Sequence, residues 1–394
     1  MDPSKSAPPS RPSPASPPPP GPAAPTPRLY RPVDWITFLV VTLVALGGYL
    51  FTIAPDLTLE DSGELAVGSM YAGVPHPPGY PVWTLYTWLF TKLLPFSNIA
   101  WRVAVSSAVA AALSAGIVGL LVSRGSSMIL ESIDQFKDID RRWENPICLV
   151  SGLVAGLLVG FNGFIWSQAV IVEVYTLAVL TLAGVLAALL RWTYAPRQRG
   201  YLYLALFLFG LCFCNHQTLI VAAMGIEVVV FMADRRVGRD MLLGNTAIWL
   251  LGTLLHLTGR IATFQDNPAL QGIFHLVGLL SLAGSIWLLI LAPKPTEEWL
   301  RDSGFLGLLG LSLLLFSRLK GFDRTDTLLP AVLLAGAVLS LAGALVLQRA
   351  SRRLHGGFAI VAAAGFAFLL GSLFYFYMPA ASATNPPMNW GYPR

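Results

Sequence analysis

The chain has 394 residues, of which 55% are hydrophobic and only 12% charged, and its mean hydropathy is +0.64. Soluble domains carry about 25% charged residues, so an ordinary water-soluble protein is excluded and a polytopic membrane protein is indicated. The net charge of +5 comes from basic residues spread along short loops, which favours membrane orientation and excludes a nucleic-acid-binding face. The three cysteines lie in or beside apolar runs and predict neither a disulfide framework nor a zinc site.

The N-terminal third of the chain predicts a tail, an anchor and a long external loop. Residues 1–32 contain 13 of the 29 prolines and predict a disordered cytoplasmic tail. The apolar run 35–53 predicts a first span, and 54–80, with four acids and no Lys or Arg, is predicted to be external. The apolar segment 81–94 is too short to cross a bilayer, so we expect a helix in the interface within a first external loop, 54–98.

The remainder of the chain predicts ten further spans, joined by loops whose basic residues set the orientation. An exposed short helix is expected in the loop 124–147, and the basic turns at 191–199 and 235–239 are predicted to be cytoplasmic. The last residues, 380–394, are predicted to be external. The fold class is therefore an all-α polytopic membrane protein with about 11 transmembrane helices. The ten runs are 99–122, 148–161, 168–190, 201–214, 219–232, 241–258, 272–292, 303–319, 328–348 and 357–379.

The first external loop carries a cluster of acids. Glu60, Asp61 and Glu64 place three carboxylates within five residues, where they repel one another unless a cation or a substrate compensates them. They are hard oxygen ligands, so a divalent cation could bind there, although the sequence requires no cofactor. The alternative interpretation is an acidic helix cap, in which these side chains accept hydrogen bonds from free backbone amides.

Other polar residues are predicted at the same membrane depth. His76 precedes a Pro-Pro pair, which favours an extended backbone, although a simple turn histidine is the alternative. Arg102 opens the second span and is either a bidentate phosphate ligand or an interfacial arginine. Asn215 and His216 lie between two short helices and are expected to line a cavity. Glu173 lies near the start of a span, where a helix-dipole contact is the alternative role.

Two loop motifs carry a family resemblance. Glu-Asp-Ser-Gly-Glu-Leu at 60–65 and His-Pro-Pro-Gly-Tyr-Pro at 76–81 resemble the first luminal loop of the GT-C superfamily of polyprenol-phosphate-sugar-dependent glycosyltransferases. More narrowly, they resemble a membrane family, formerly of unknown function, whose animal member is an endoplasmic-reticulum protein O-mannosyltransferase acting on plexin-type domains. The resemblance continues at 98–103, 166–168, 173–175 and 215–218, and it reappears in the final span and at 385–393.

The resemblance implies a domain organisation. It implies a GT-C-like catalytic core at 33–240, an insertion of four spans at 241–356, and a last span with an external Asn-Trp-Gly segment at 357–394. Relatives continue beyond that segment, so we expect this chain to be a fragment or a truncated product. The implied location is the bacterial inner membrane, or the endoplasmic reticulum membrane in a eukaryote.

The resemblance also implies an activity. A mannose-like hexose would pass from a polyprenyl-phosphate donor to a hydroxyl of a protein or glycan acceptor on the external face, with inversion, in contact with membrane lipid. Asp61 would be the catalytic base, and Glu64 would orient either Asp61 or the acceptor. The alternatives are a transporter or flippase of lipid-linked glycan and a noncatalytic membrane subunit. The residues expected to bind substrates are His76, Arg102, Glu173, Asn215, His216, Asn389 and Trp390.

Overall fold

The computed structural model describes residues 28–58, 60–259, 267–318, 328–351 and 358–393, and within these ranges the chain is helical apart from turns and one isolated β-bridge. Most of the predicted disordered tail, residues 1–27, lies outside the described residues. Two short 3₁₀ helices, Gln217–Val221 and Leu373–Phe376, interrupt the α-helical pattern. The α-helices are α1 (Pro32–Thr52), α2 (Ser62–Tyr71), α3 (Pro81–Leu93), α4 (Ile99–Ser132), α5 (Arg141–Gly160), α6 (Gly163–Ala169), α7 (Tyr175–Tyr194), α8 (Gly200–Asn215), α9 (Ala222–Ala233), α10 (Arg235–Leu257), α11 (Pro268–Leu291), α12 (Thr296–Arg318), α13 (Leu328–Ser351), α14 (Phe358–Ser372) and α15 (Tyr377–Ala383).

Among the described residues, six helical stretches are long and apolar enough to cross a membrane. They are α1, α4, α5, α7, α11 and the stretch Phe358–Ala383 that contains α14 and α15. Shorter apolar helices occur at Gly200–Asn215, Gln217–Ala233 and Ala331–Val346. The protein is therefore a polytopic membrane protein, as its composition indicates. The larger number of about 11 spans stays a prediction.

The prediction of a separate short helix in the loop 124–147 is wrong, although most of residues 131–143 are exposed as predicted. Helix α4 continues to Ser132, ten residues beyond the predicted end of that span, and α5 already begins at Arg141. The helix continues because Ser123 and Ser127 are buried and paired inside the bundle. Ser123 Oγ donates to Asp34 Oδ1 at 2.6 Å, and Ser127 Oγ donates to Glu144 Oε1 at 2.7 Å.

Two other predicted spans are interrupted near one end. The run 168–190 is divided between α6, which ends at Ala169, and α7, which begins at Tyr175. The run 357–379 is divided by the 3₁₀ helix Leu373–Phe376. Both breaks lie at the end of the bundle that carries the loop 54–80. The backbone at this end is therefore not α-helical throughout.

Helices α1, α4 and α5 form a tightly packed scaffold. A Cβ added at Gly152 would lie 2.6 Å from the Gly119 carbonyl oxygen, and one at Gly156 would lie 2.9 Å from that of Ala115, so α4 and α5 touch through their backbones. Small residues of this kind allow close helix approach in membranes. Tyr49 Oη donates to the Gly160 carbonyl at 2.5 Å and joins α1 to α5. This scaffold holds both ends of the loop that follows α1.

The bundle has two ends with different chemistry. At the first, which we call the loop end, Ala54 N donates to the Val170 carbonyl at 2.9 Å and Asn98 Nδ2 donates to that of Pro55 at 2.9 Å. At the second, the arginine end, the helices are joined by ion pairs such as Arg31–Glu144 at 2.5 Å. The acidic loop and the basic turns therefore lie at opposite ends, as the charge pattern predicts. Which end faces the cytoplasm stays a prediction.

Candidate active site

Helix α2 begins directly after Asp61, which occupies its N-cap position. The Asp61 side chain makes no capping hydrogen bond, so the alternative interpretation of this residue as a helix cap does not describe its carboxylate. The side chain is 59% exposed, and His76 Nε2 lies 3.9 Å from Asp61 Oδ2. Asp61 therefore presents a carboxylate to the space outside the bundle.

Glu64 and His76 are held against each other. Glu64 Oε1 accepts a hydrogen bond from the backbone N–H of His76 at 2.5 Å, and both carboxylate oxygens lie 3.3 Å from His76 Nδ1. The other ring nitrogen, Nε2, lies 3.2 Å from Tyr80 Oη. In the tautomer that carries its proton on Nδ1, this proton faces the carboxylate and Nε2 accepts from the tyrosine hydroxyl. Burial raises the pKa of Tyr80 to about 12, so this hydroxyl stays a donor at neutral pH.

The backbone after His76 forms a turn. Gly79 N donates to the His76 carbonyl at 2.8 Å, and the Pro77–Pro78 peptide bond is cis. The prediction of an extended backbone from the Pro-Pro pair is therefore wrong. Gly79 has φ +87°, and a Cβ there would lie 2.3 Å from the terminal carbon of Met378, so only glycine fits this position without strain.

Three side chains of the loop could hold a metal ion together. One ligand atom from each of Asp61, Glu64 and His76 lies within 4.8 Å of the other two. Two carboxylates and an imidazole suit a divalent cation. This set differs from the predicted one, because His76 takes the place of Glu60. Glu60 adopts φ +65° and is exposed, outside the group.

Glu173 is a buried acid beside this cluster. It lies between α6 and α7 with 7% of its surface exposed, and its backbone carbonyl accepts from Trp83 Nε1 at 3.0 Å and from Ser107 Oγ at 3.2 Å. Its carboxylate accepts a hydrogen bond from the Val174 N–H at 3.2 Å, next to the start of α7. This agrees with the alternative role of Glu173, a contact with a helix dipole. Burial raises the pKa of Glu173 to about 7, and the negative charge of neighbouring Asp61 contributes to the increase.

The C-terminal segment forms one wall of the site. Val74 N donates to the Met388 carbonyl at 2.8 Å, and Trp390 N donates to the Val74 carbonyl at 2.9 Å, which makes a parallel bridge between Val74 and Asn389. Asn389 Nδ2 donates to the Ser382 carbonyl at 3.2 Å, while the Trp390 side chain is 53% exposed. The predicted residues Asn389 and Trp390 therefore lie beside the chain segment that leads to His76.

Close packing fixes this wall to the loop. A Cβ at Gly73 would lie 2.3 Å from the Met388 carbonyl oxygen, so the two backbones touch there. The hydroxyl of Tyr377 donates to the Ala72 carbonyl from the neighbouring helix α15. Neither Tyr377 nor Tyr80 is among the predicted site residues. The sequence signal that could have identified Tyr80 is its place in the His-Pro-Pro-Gly-Tyr motif, four residues after His76.

Arg102 is occupied by backbone carbonyls. Its Nε donates to Phe96 O at 3.1 Å, and its two terminal nitrogens donate to Thr91 O and Ser97 O at 3.0 Å each. These carbonyls belong to the end of α3 and the connection to α4. Across the described ranges, no hydrogen bond or ion pair joins Arg102 to the acid cluster. The structure gives this side chain a loop-binding role, and its predicted role as a phosphate ligand stays untested.

Asn215 and His216 end α8 at the loop end. The ring of His216 lies 5.4 Å from that of Tyr175, which is two residues after Glu173, and His216 Nδ1 lies 2.5 Å from Thr218 Oγ1. Asn215 is fully buried, and neither polar atom of its side chain has a hydrogen-bond partner among the residues described. Both residues lie at the loop end, and their predicted part in substrate binding stays a prediction.

Comparisons with known proteins match the part of the chain that carries this site. Residues 61–238 match the family model described as "Protein O-mannosyl-transferase TMEM260 N-terminal domain". Protein O-mannosyl-transferase TMEM260 of Mus musculus is 27% identical over 176 residues, which are 44% of this chain and 22% of the mouse protein. Its Dictyostelium discoideum counterpart is 24% identical over 131 residues, 33% of this chain and 14% of that protein. The matched region thus spans less than a quarter of either relative, and no solved structure matches the chain.

Proposed function

Since residues 61–238 belong to the TMEM260 N-terminal domain family, we propose that this chain carries the catalytic region of a membrane protein O-mannosyltransferase with a GT-C-like core. The donor is a polyprenyl-phosphate-linked hexose of the mannose type, and the acceptor is a hydroxyl of a protein. The observation that supports this most directly is the exposed Asp61 carboxylate beside the hydrogen-bonded Glu64, His76 and Tyr80 side chains.

Asp61 acts as the general base. As the acceptor hydroxyl attacks the anomeric carbon, Asp61 takes its proton, the new carbon–oxygen bond forms, and the bond to the phosphate oxygen breaks. The electron pair of the broken bond leaves with the polyprenyl phosphate. One base and one displacement invert the anomeric centre, so no covalent sugar–enzyme intermediate is required.

The environments of the two acids favour Asp61 over Glu64 as the base. The Glu64 side chain is 20% exposed and both of its oxygens face His76, whereas Asp61 is 59% exposed and makes no capping bond. Glu64 acts through His76: it fixes the ring so that Nε2 faces Tyr80 and Asp61. Its role is therefore to position the groups around the base.

The leaving phosphate needs hydrogen-bond donors or positive charge close to the base. Arg102 already donates to three carbonyls, so we place the donor phosphate on the other side of Glu173, near His216. The exposed Trp390 ring provides a surface for the sugar or the acceptor. A divalent cation on Asp61, Glu64 and His76 is the second candidate for the positive charge, supported by the convergence of their ligand atoms.

The test is the turnover of Asp61→Asn with a labelled polyprenyl-phosphate mannose donor and an acceptor protein, read as released polyprenyl phosphate. Asn is nearly isosteric but cannot accept the proton, so turnover should fall by about 10²-fold or more. Glu60→Gln is the matched control, because it removes a neighbouring exposed acid outside the cluster and should change turnover little.

Three outcomes would change the proposal. Wild-type turnover in Asp61→Asn combined with inactivity of Glu64→Gln would move the base to Glu64. Loss of wild-type activity in a chelator, restored by a divalent cation, would favour the metal-binding role of the cluster. Movement of the labelled donor across the membrane without release of polyprenyl phosphate would indicate a flippase and refute the transferase.

A further inference from the structure

A basic cavity lies at the arginine end of the bundle, opposite the candidate active site. It has a volume of about 830 Å³ and lies where the ends of α8, α9, α10 and α11 meet. Four arginines line it: Arg197 and Arg199 before α8, and Arg235 and Arg236 at the start of α10. The active-site chemistry uses none of them.

These arginines differ from the other basic residues at this end, most of which are paired. Arg31 lies 2.5 Å from Glu144, and Arg239 lies 2.8 Å from Asp240. Lys294 lies 3.1 Å from Asp240 and is also paired with Asp302. Within the described ranges, none of the four cavity arginines forms an ion pair. The acid that lines the cavity, Asp234, accepts the Arg236 and Val237 backbone N–H groups through Oδ1 as the N-cap of α10.

The helix ends add to the positive potential of the cavity. Both α8 and α10 begin there, and the amino-terminal end of a helix carries a partial positive charge. Arg199 occupies the N-cap position of α8 and makes no side-chain cap hydrogen bond. Asp234 caps the start of α10, so the cavity combines four guanidinium groups with the amino-terminal end of α8, which is an anion-binding arrangement.

We propose that this cavity binds the phosphate of an anionic phospholipid headgroup. Arginine forks match phosphate oxygens, and basic pockets between the ends of membrane helices suit lipid phosphates. A lipid is favoured over a soluble phosphate because apolar surface continues from the cavity along the spans. Leu291 lines the cavity and is 44% exposed, and the neighbouring Ile290 and Met232 are 73% and 74% exposed, so they offer a surface for the acyl chains.

The chain contains an internal control for this proposal. The sequence Asp-Arg-Arg starts α10 at 234–236 and also starts α5 at 140–142. In both places the Asp caps its helix by accepting from the second Arg N–H at 3.0 Å. At α5, however, Arg142 pairs with Asp140 at 3.1 Å, and these residues do not line the basic cavity. The two double variants Arg235→Gln/Arg236→Gln and Arg141→Gln/Arg142→Gln therefore remove equal charge from the same positions of two helix starts, one inside the cavity and one outside it.

The experiment measures retained phosphatidylglycerol by native mass spectrometry, after purification from nanodiscs that contain phosphatidylglycerol and phosphatidylcholine. Each arginine near an anionic lipid contributes about fivefold in affinity, so the α10 double variant should bind phosphatidylglycerol about 30-fold more weakly. The α5 double variant should bind within about twofold of the wild type. A second pair, Arg197→Gln and Arg199→Gln, should each weaken binding even where the α10 variant is unstable.

Three results would overturn the proposal. Equal losses in the two double variants would show that these arginines serve only the general charge bias of this face. Equal retention of phosphatidylcholine and phosphatidylglycerol would show that the phosphatidylglycerol charge is not recognised. Binding of soluble glycerol phosphate by the wild type, without retention of either lipid, would assign the cavity to a soluble anion.

Discussion

Replacing Glu173 by glutamine should make the stability of the protein less dependent on pH. Burial raises the pKa of this carboxyl from 4.5 to about 7 in the folded protein. Between these two values the folded state holds a proton that the unfolded state has released, so stability falls as the pH rises through this window. The difference amounts to about 3 kcal/mol once the pH is above 7.

The variant keeps the shape of the side chain and an oxygen that can accept the Val174 N–H, but it has no proton to lose. Glu173→Gln should therefore gain stability over the wild type as the pH rises from 5 to 8. The gain corresponds to an increase of a few degrees in the midpoint of thermal unfolding in detergent. Glu297→Gln is a suitable control, because that side chain is 87% exposed and is not desolvated by folding. If the difference in stability between Glu173→Gln and the wild type stayed constant from pH 5 to 8, the conclusion that burial raises the pKa of Glu173 would be refuted.

Other predictions follow from the packing of the loop and from its orientation. Gly73→Ala should destabilise the docked C-terminal segment by about 1–3 kcal/mol, measured as faster proteolysis there, whereas Gly63→Ala, with open space around its Cβ, should not. Arg102→Ala removes three hydrogen bonds to backbone carbonyls, so it should lower the free energy of unfolding by a similar amount, about 1–3 kcal/mol. It should not specifically increase the KM for the donor. A selective increase in this KM would restore the predicted role of Arg102 as a phosphate ligand. Single cysteines at Asp56 and Arg197 should be labelled from opposite sides of the membrane, and the native cysteines are buried; labelling from one side would refute the orientation.

The helices could be predicted from the sequence because an apolar run of sufficient length has few alternatives in a membrane. Their ends could not be predicted equally well. Helix α4 continues because Ser123 and Ser127 find carboxylate partners on α1 and α5, and partners from distant helices leave no local signal in the sequence. The same limitation explains why the sequence predicts a separate helix in 124–147 rather than the continuation of α4 to Ser132.

The site shows a similar division between local and distant information. Asp61 and Glu64 are three residues apart at the start of one helix, so their proximity could be predicted, and the structure places their ligand atoms together. The contacts of Arg102 could not be predicted, because the residue type suits phosphate and backbone carbonyls equally well. The replacement of Glu60 by His76 in the group likewise depends on the backbone turn after the histidine.

The contact between Tyr377 and Ala72 joins residues that are 305 positions apart. Contacts of such long sequence separation form late, because the intervening chain must be made and arranged first. During synthesis the acidic loop leaves the ribosome early, yet it remains without its C-terminal wall while the intervening helices insert into the membrane. The wall of the candidate site can therefore close only after residues 377–390 have been translated and docked, when the helices of the bundle are in place.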